Sequence, residues 1–116
     1  MYDKNNVFFK ILQSEIQCKR IFENDVAISF FDINPACKVH ALVITKGLYR
    51  NFAEFISSAP EIEIKKFSKA VVKTAELLEL AEGGYRLVTN TGKDSGQEVE
   101  HFHVHILGGE KLSSIC

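Results

Sequence analysis

Cysteine is scarce: three of 116 residues, at Cys18, Cys37 and Cys116, with no CxxC pair among them. An odd, scattered set of thiols argues against a disulfide framework and for a reducing compartment. Long apolar runs are missing as well. The opening segment has no stretch that would serve as a signal-peptide core, and nowhere does the chain approach the ~18–20 apolar residues of a membrane helix. The expected location is therefore cytoplasmic. Charge of one sign is not in excess: 14 Lys+Arg against 15 Asp+Glu leave a net charge of −1. Such a chain has no global electrostatic footprint for nucleic acid or an anionic membrane. Neither GxGxxG nor GxxxxGK[ST] occurs, which removes the dinucleotide fingerprint and the P-loop. Repeats, low-complexity tracts and Gly/Ser/Pro-rich linkers are also absent. What remains is an apolar share of 46% and a charged share of 25%, the balance of one ordinary globular domain. Residues 1–116 read as a single domain with a core over about 7–109 and a ragged tail over 110–116.

The apolar pattern predicts a short helix near residues 7–14 and β-prone runs at 19–23 and 26–31. Asn24-Asp25 lies between those runs as a two-residue turn. Pro35 pushes Asn34 away from the helical region and closes a turn at 32–35. VHALVIT (39–45) reads as a strand buried on both faces. A short helix is expected at 51–57 and a long one at 60–80. There Pro60, Glu61 and Glu63 suit a first turn, and Ile64, Phe67, Val71, Ala75 and Leu78 form an apolar stripe. Gly83-Gly84 is expected to stop it. Strands at 85–90 and 101–107 flank a polar loop at 91–97. The order implies an α+β fold: a five-stranded, mainly antiparallel sheet with two helices on one face.

Three of the four histidines stand at His101, His103 and His105, alternating with Phe102, Val104 and Ile106. On a strand this places the imidazoles on one face and the apolar groups on the other. An ordinary solvent face is one reading, although other polar residues would serve it as well. A metal site is a second, because HxH pairs bind zinc. The outer rings of three alternate residues, about 13 Å apart at ~3.3 Å per residue, could barely reach a common ion, and His40 is the remaining histidine. The third reading is catalytic. Neutral imidazole is a nucleophile near pH 7 when its other nitrogen donates a hydrogen bond that fixes the tautomer. His103, with a neighbour on each side, is then the natural nucleophile. Gly92 and Gly96 in the preceding loop would let backbone N–H groups approach an anion. Cys18 and Cys37 read as packing residues, and Lys46 and Arg50 as solvated charges.

HFHVHIL (101–107) resembles the His-φ-His-φ-His-φ-φ signature of the histidine triad (HIT) superfamily. GQEV (96–99) and Gly108-Gly109 resemble its Hint branch. FKI (9–11), FDINP (31–35), HALVI (40–44) and YRLVTN (85–90) are similar to further family motifs, in order along nearly the whole chain. The resemblance implies a homodimer that hydrolyses purine nucleoside 5′-phosphoramidates, of AMP or GMP type, through a nucleotidyl-histidine intermediate, with no cofactor. By the same resemblance His103 is the nucleophile, His101 orients it through its carbonyl, and His40 supports the triad. His105 and the backbone near Gly96 and Val99 would hold the phosphate. Asp32 would bind the ribose. Val7, Phe8, Ile11, Phe30, Ile33 and Leu42 would line the purine pocket, and Asn90 and Gln97 would position the 5′ end and the leaving group. Zinc-binding members carry a C-x-x-C where this chain has Asn6 and Phe9, so no metal is expected. Glu98 stands where bacterial members often carry Glu; beside the phosphate it would sense the leaving amine or act as a proton donor. Thr45 and Gln17 replace prolines of the pattern. Three alternatives stay open: a dinucleoside polyphosphate hydrolase or nucleotidyl transferase of the superfamily, a nucleotide-binding regulatory protein, and a metal-binding module.

Overall fold

A computed structural model describes residues 1–115; Cys116, read above as a tail residue, lies outside them. Strands β1 (Arg20–Glu23) and β2 (Ala27–Phe31) form a hairpin, and β3 (Val39–Thr45) follows. Helices α2 (Phe52–Ser58) and α3 (Glu61–Leu77) come next, then β4 (Tyr85–Val88) and β5 (His103–Gly108); α1 (Val7–Leu12) precedes them all. The five strands pair in the order β1-β2-β3-β5-β4, antiparallel throughout. This is the expected α+β architecture.

Strand alternation sorts the apolar residues into two cores. One face carries Ala41, Val43 and Ile106, packed against Phe55 of α2 and Phe67, Val71 and Ala75 of α3. The other carries Ile28, Phe30, Leu42 and Ile44, covered by Phe8 and Ile11 of α1. β3 is apolar on both faces because each face meets a core, as its sequence implied. Thr74 is the polar exception on α3. Fully buried, its hydroxyl donates to the Ala70 carbonyl at 2.7 Å and lies 2.8 Å from the Ser29 hydroxyl.

The element ends shift for local reasons. The β1–β2 turn moves by one residue, because the Asn24 N–H bonds the Ala27 carbonyl and the Asn24 side chain accepts from Val26 and Ala27. Pro60 caps α3 instead of entering it. α3 ends before Gly83: Glu79 adopts a left-handed φ of 59°, and the Leu80 N–H reaches back to the Ala75 carbonyl at 3.0 Å. That is a Schellman closure made without glycine, with buried Leu80 as its apolar contact. Gly109 is a true glycine position. Its φ is +82°, and a Cβ there would stand 2.6 Å from a methyl of Val39.

The largest revision concerns the fifth strand. Pairing begins at His103, opposite Ile44, so His101 precedes the ladder. The intervening Phe102 N–H donates to the Tyr49 carbonyl at 2.7 Å, toward the β3–α2 connection. Among the described residues no helix is long and apolar enough to cross a membrane.

Candidate active site

The site lies on the face opposite α2 and α3. There Leu42 opposes His105, Ile44 opposes His103, and His40 opposes Leu107. Directly opposed residues project to the same side, so β3 and β5 bring three imidazoles onto one face. α1 roofs them. Phe8 meets the His103 ring edge-on at 4.9 Å and the His101 ring at 6.2 Å. The sequence builds this helix locally: Asn6 caps it by accepting from the Phe9 N–H at 2.8 Å, as Asn before an apolar run commonly does.

A cavity of about 510 Å³ opens beside the triad, within the usual range for a small-molecule site. Phe8, Phe30 and Leu42 make its apolar wall, and His103, His105 and Asp32 its polar one. Asn90, Gly96, Glu98 and Val99 border it from the loop side, with Val7 and Ile11 contributed by α1. Ile33 also borders the cavity and is 89% exposed. His101 and His40 back the cavity without bordering it. Gln97 does not border it either. Its amide nitrogen reaches the Arg50 and Val99 carbonyls at 2.8 and 3.0 Å, and its oxygen accepts from the Gly92 N–H at 2.8 Å. Nor do the loop glycines offer their N–H groups to an anion. A single 3-10 turn, Lys93–Ser95, consumes them: Gly96 donates to Lys93, Gln97 to Gly92, and Gly92 to the Gln97 side chain.

The hydrogen-bond partners assign the ring protons. His103 Nδ1 lies 2.6 Å from the His101 carbonyl, which can only accept, so Nδ1 carries the proton and Nε2 keeps its lone pair. Ala36 donates its N–H to His40 Nδ1 at 3.0 Å, so His40 bears its proton on Nε2. That proton is shared between His105 Nδ1 at 2.9 Å and Asp32 Oδ2 at 3.4 Å. His105 therefore accepts at Nδ1 and holds an N–H at Nε2. The site thus pairs a bare nucleophilic nitrogen with a neighbouring donor, their ring centroids 5.1 Å apart. Asp32 is itself oriented, since its Oδ1 accepts from the Asn34 N–H at 2.8 Å. Asp32, His40 and His105 could hold a cation, their ligand atoms lying within 4.8 Å of one another; in the structure those atoms hydrogen-bond among themselves.

Burial lowers the pKa of every histidine in the group. His101 falls to about 4, opposed by its bond to Thr45 and aided by His103. His105 also falls to about 4, with His103 and His40 adding to desolvation. His103 and His40 shift the same way, and for His103 the His101 carbonyl and Asp32 resist the shift. All four rings are consequently neutral at pH 7. For His101, which is fully buried, the unfolded chain takes up a proton near pH 6.5 and the folded chain only near 4. The stability that rests on the neutral ring is present above pH 6.5 and is lost as pH falls toward 4, by roughly 3 kcal/mol. Denaturant midpoints measured between pH 7 and 4.5 should fall steadily; a flat profile would contradict this linkage.

Tyr2, Thr45 and Thr89 belong to the site but carry no legible sequence signal. The Thr45 carbonyl accepts from His101 Nε2 at 2.7 Å, and Thr89 donates its hydroxyl to the His103 carbonyl at 2.8 Å. Lys46 and Arg50, read as solvated charges, pair with Glu23 at 2.6 Å and Glu54 at 2.8 Å.

The sequence pattern of the HIT domain matches residues 13–112. An uncharacterised HIT-like protein of Azospirillum brasilense is 45% identical over 111 residues, covering 96% of this chain and 91% of its own. The purine nucleoside phosphoramidase of Escherichia coli K12 is 35% identical over 94% of this chain and 91% of its own. Among solved structures, a HIT family hydrolase from Clostridium thermocellum superposes with a TM-score of 0.88 at 39% identity, covering 97% of both chains.

Proposed function

This chain belongs to the HIT family, and on that footing we propose that it is a Hint-type purine nucleoside 5′-phosphoramidate hydrolase. The observation that carries the reading is the His103 Nδ1–H bond to the His101 carbonyl, which leaves Nε2 unprotonated at the cavity wall. A neutral, buried imidazole so held needs no general base.

Nε2 of His103 attacks the α-phosphorus as the P–N bond to the amine breaks, and the departing nitrogen takes a proton from solvent. Water then attacks the same phosphorus and releases a proton to solvent, replacing the one taken by the amine. The P–Nε2 bond breaks and the nucleoside monophosphate leaves, with His103 restored. One water is consumed overall. The Nε2–H of His105 donates to a non-bridging phosphate oxygen, where negative charge grows. Asp32 accepts from the ribose hydroxyls. Phe8, Phe30 and Leu42 contact the base. Because the loop glycines spend their N–H groups within the loop, phosphate contacts from that side fall to residues 98–99.

The test is AMP release from adenosine 5′-monophosphoramidate in excess chelator, with diadenosine tetraphosphate as competitor substrate. Metal-independent turnover of the phosphoramidate supports the proposal. Preference for the tetraphosphate would move the protein to the polyphosphate branch. Inhibition by chelator would place an ion at Asp32, His40 and His105.

We also infer a homodimer. β4 is an edge strand, and an edge is a template for a second strand. Leu87 on it is 50% exposed, and Val72 on α3 51%. Light scattering should return twice the 13.1 kDa chain mass, and Leu87→Asp should return the single mass; a monomeric wild type refutes the pairing.

A further inference from the structure

His101 occupies an unusual place. Its carbonyl orients the nucleophile, yet its backbone lies outside the β5 ladder. The planar peptide that carries this carbonyl is held on its other edge by the Phe102 N–H bond to the Tyr49 carbonyl at 2.7 Å, and the His101 side chain supplies a second anchor. The His101 ring is fully buried and held at both nitrogens. On one edge Nε2 donates to the Thr45 carbonyl at 2.7 Å, at the end of β3. On the other edge Nδ1 accepts from the hydroxyl of Tyr2. Tyr2 is fixed in turn: Asn6 Nδ2 donates to its hydroxyl oxygen at 2.9 Å and to the Asp3 carbonyl at 2.8 Å. The Tyr2 ring packs edge-on against His101 at 5.6 Å and against Phe9 at 6.2 Å. The segment before α1 thus straps the triad from outside the sheet, and Asn6 both caps the helix and aims the tyrosine.

We propose that Tyr2 is a positioning residue for the nucleophile, clamping His101 against Thr45 so that the His101 carbonyl stays aimed at His103 Nδ1. The proposal rests on the phosphoramidate reading for its kinetic arm alone. Removing the hydroxyl leaves a buried acceptor without its donor, which frees the ring to shift. The groups facing His101 are Tyr2 from the strap, Thr45 from β3, Phe8 from α1 and His103 from β5; those facing His103 are Phe8, the His101 carbonyl, His105 and Asp32.

The experiment is Tyr2→Phe, read by NMR titration of the His101 and His103 rings and by kinetics. The two midpoints should move in opposite directions. His101 rises, because no hydroxyl competes for its Nδ1 lone pair. His103 falls, because a weaker bond to the carbonyl stabilises its protonated form less. General loosening would hydrate both rings and raise both midpoints, which would overturn the proposal; so would two unchanged midpoints. In the kinetic arm kcat should drop about tenfold, the scale of one net hydrogen bond transmitted to the barrier, with KM within about twofold. Opposed midpoints with an unchanged kcat would also overturn it. If the wild type turns over no phosphoramidate, the function reading fails while the titration still decides the clamp.

Discussion

His103→Ala should reduce phosphoramidate hydrolysis by at least ~10⁴-fold, the order seen when a covalent nucleophile is removed, while nucleotide still binds. The size follows from the geometry. No other ring presents a bare nitrogen to the cavity: His105 spends Nδ1 on His40 and keeps a proton on Nε2, and His101 is bonded at both nitrogens. Water would then have to attack phosphorus directly, unaided by any group poised at the distance His103 occupies. Binding should survive because Phe8, Phe30, Leu42 and Asp32 still line the pocket once the ring is removed. Retained binding also shows that the variant is folded, which matters because His103 is only 7% exposed and packs on Phe8. Single-turnover assays would find no nucleotidyl-protein adduct. Turnover within tenfold of wild type would refute His103 as nucleophile.

Phe102→Ala should cost about 3–5 kcal/mol, as large core truncations of phenylalanine do. Phe102 is 2% exposed and stacks on Phe55 at 5.0 Å and 22°, with Phe67 at 5.1 Å and Phe52 at 5.8 Å. Four rings meet there, so little can collapse into the space. A domain of this size holds about 5–15 kcal/mol in all, which makes the loss visible in any denaturation curve. Activity should fall with stability. Phe102 lies between His101 and His103 in the chain and anchors that stretch from the helix side. Phe102→Leu, which keeps most of the volume, should cost less than about 2 kcal/mol. An alanine variant within about 1 kcal/mol of wild type would refute the stability assigned to this cluster.

Period-two alternation at 101–106 was enough to separate imidazoles from apolar groups. The separation survives although His101 is outside the ladder, because Phe102 still turns to the helix core and its neighbours to the other side. The strand at 39–45 was legible for the same reason. The helix stripe named Phe67, Val71 and Ala75 correctly, and missed Thr74 because a threonine that bonds its own helix and a serine across the core has no apolar signature. The loop misled in one respect. Gly92 and Gly96 do supply backbone freedom, with φ of 79° and 80°, but the turn they permit uses up the N–H groups they seemed to offer.

Chain order alone therefore determined the fold class, the five strands and the imidazole face, since these depend on side-chain type at fixed spacing along the chain; the family was legible through resemblance to its motifs. Tertiary structure decided which nitrogen of each ring carries the proton. That depends on the His101 and Thr45 carbonyls, the Ala36 N–H and the Tyr2 hydroxyl. Every residue offers a carbonyl, so no residue type marks the ones that matter. The contact between Tyr2 and His101 spans 99 positions, and only the packing of α1 against the sheet brings the two together.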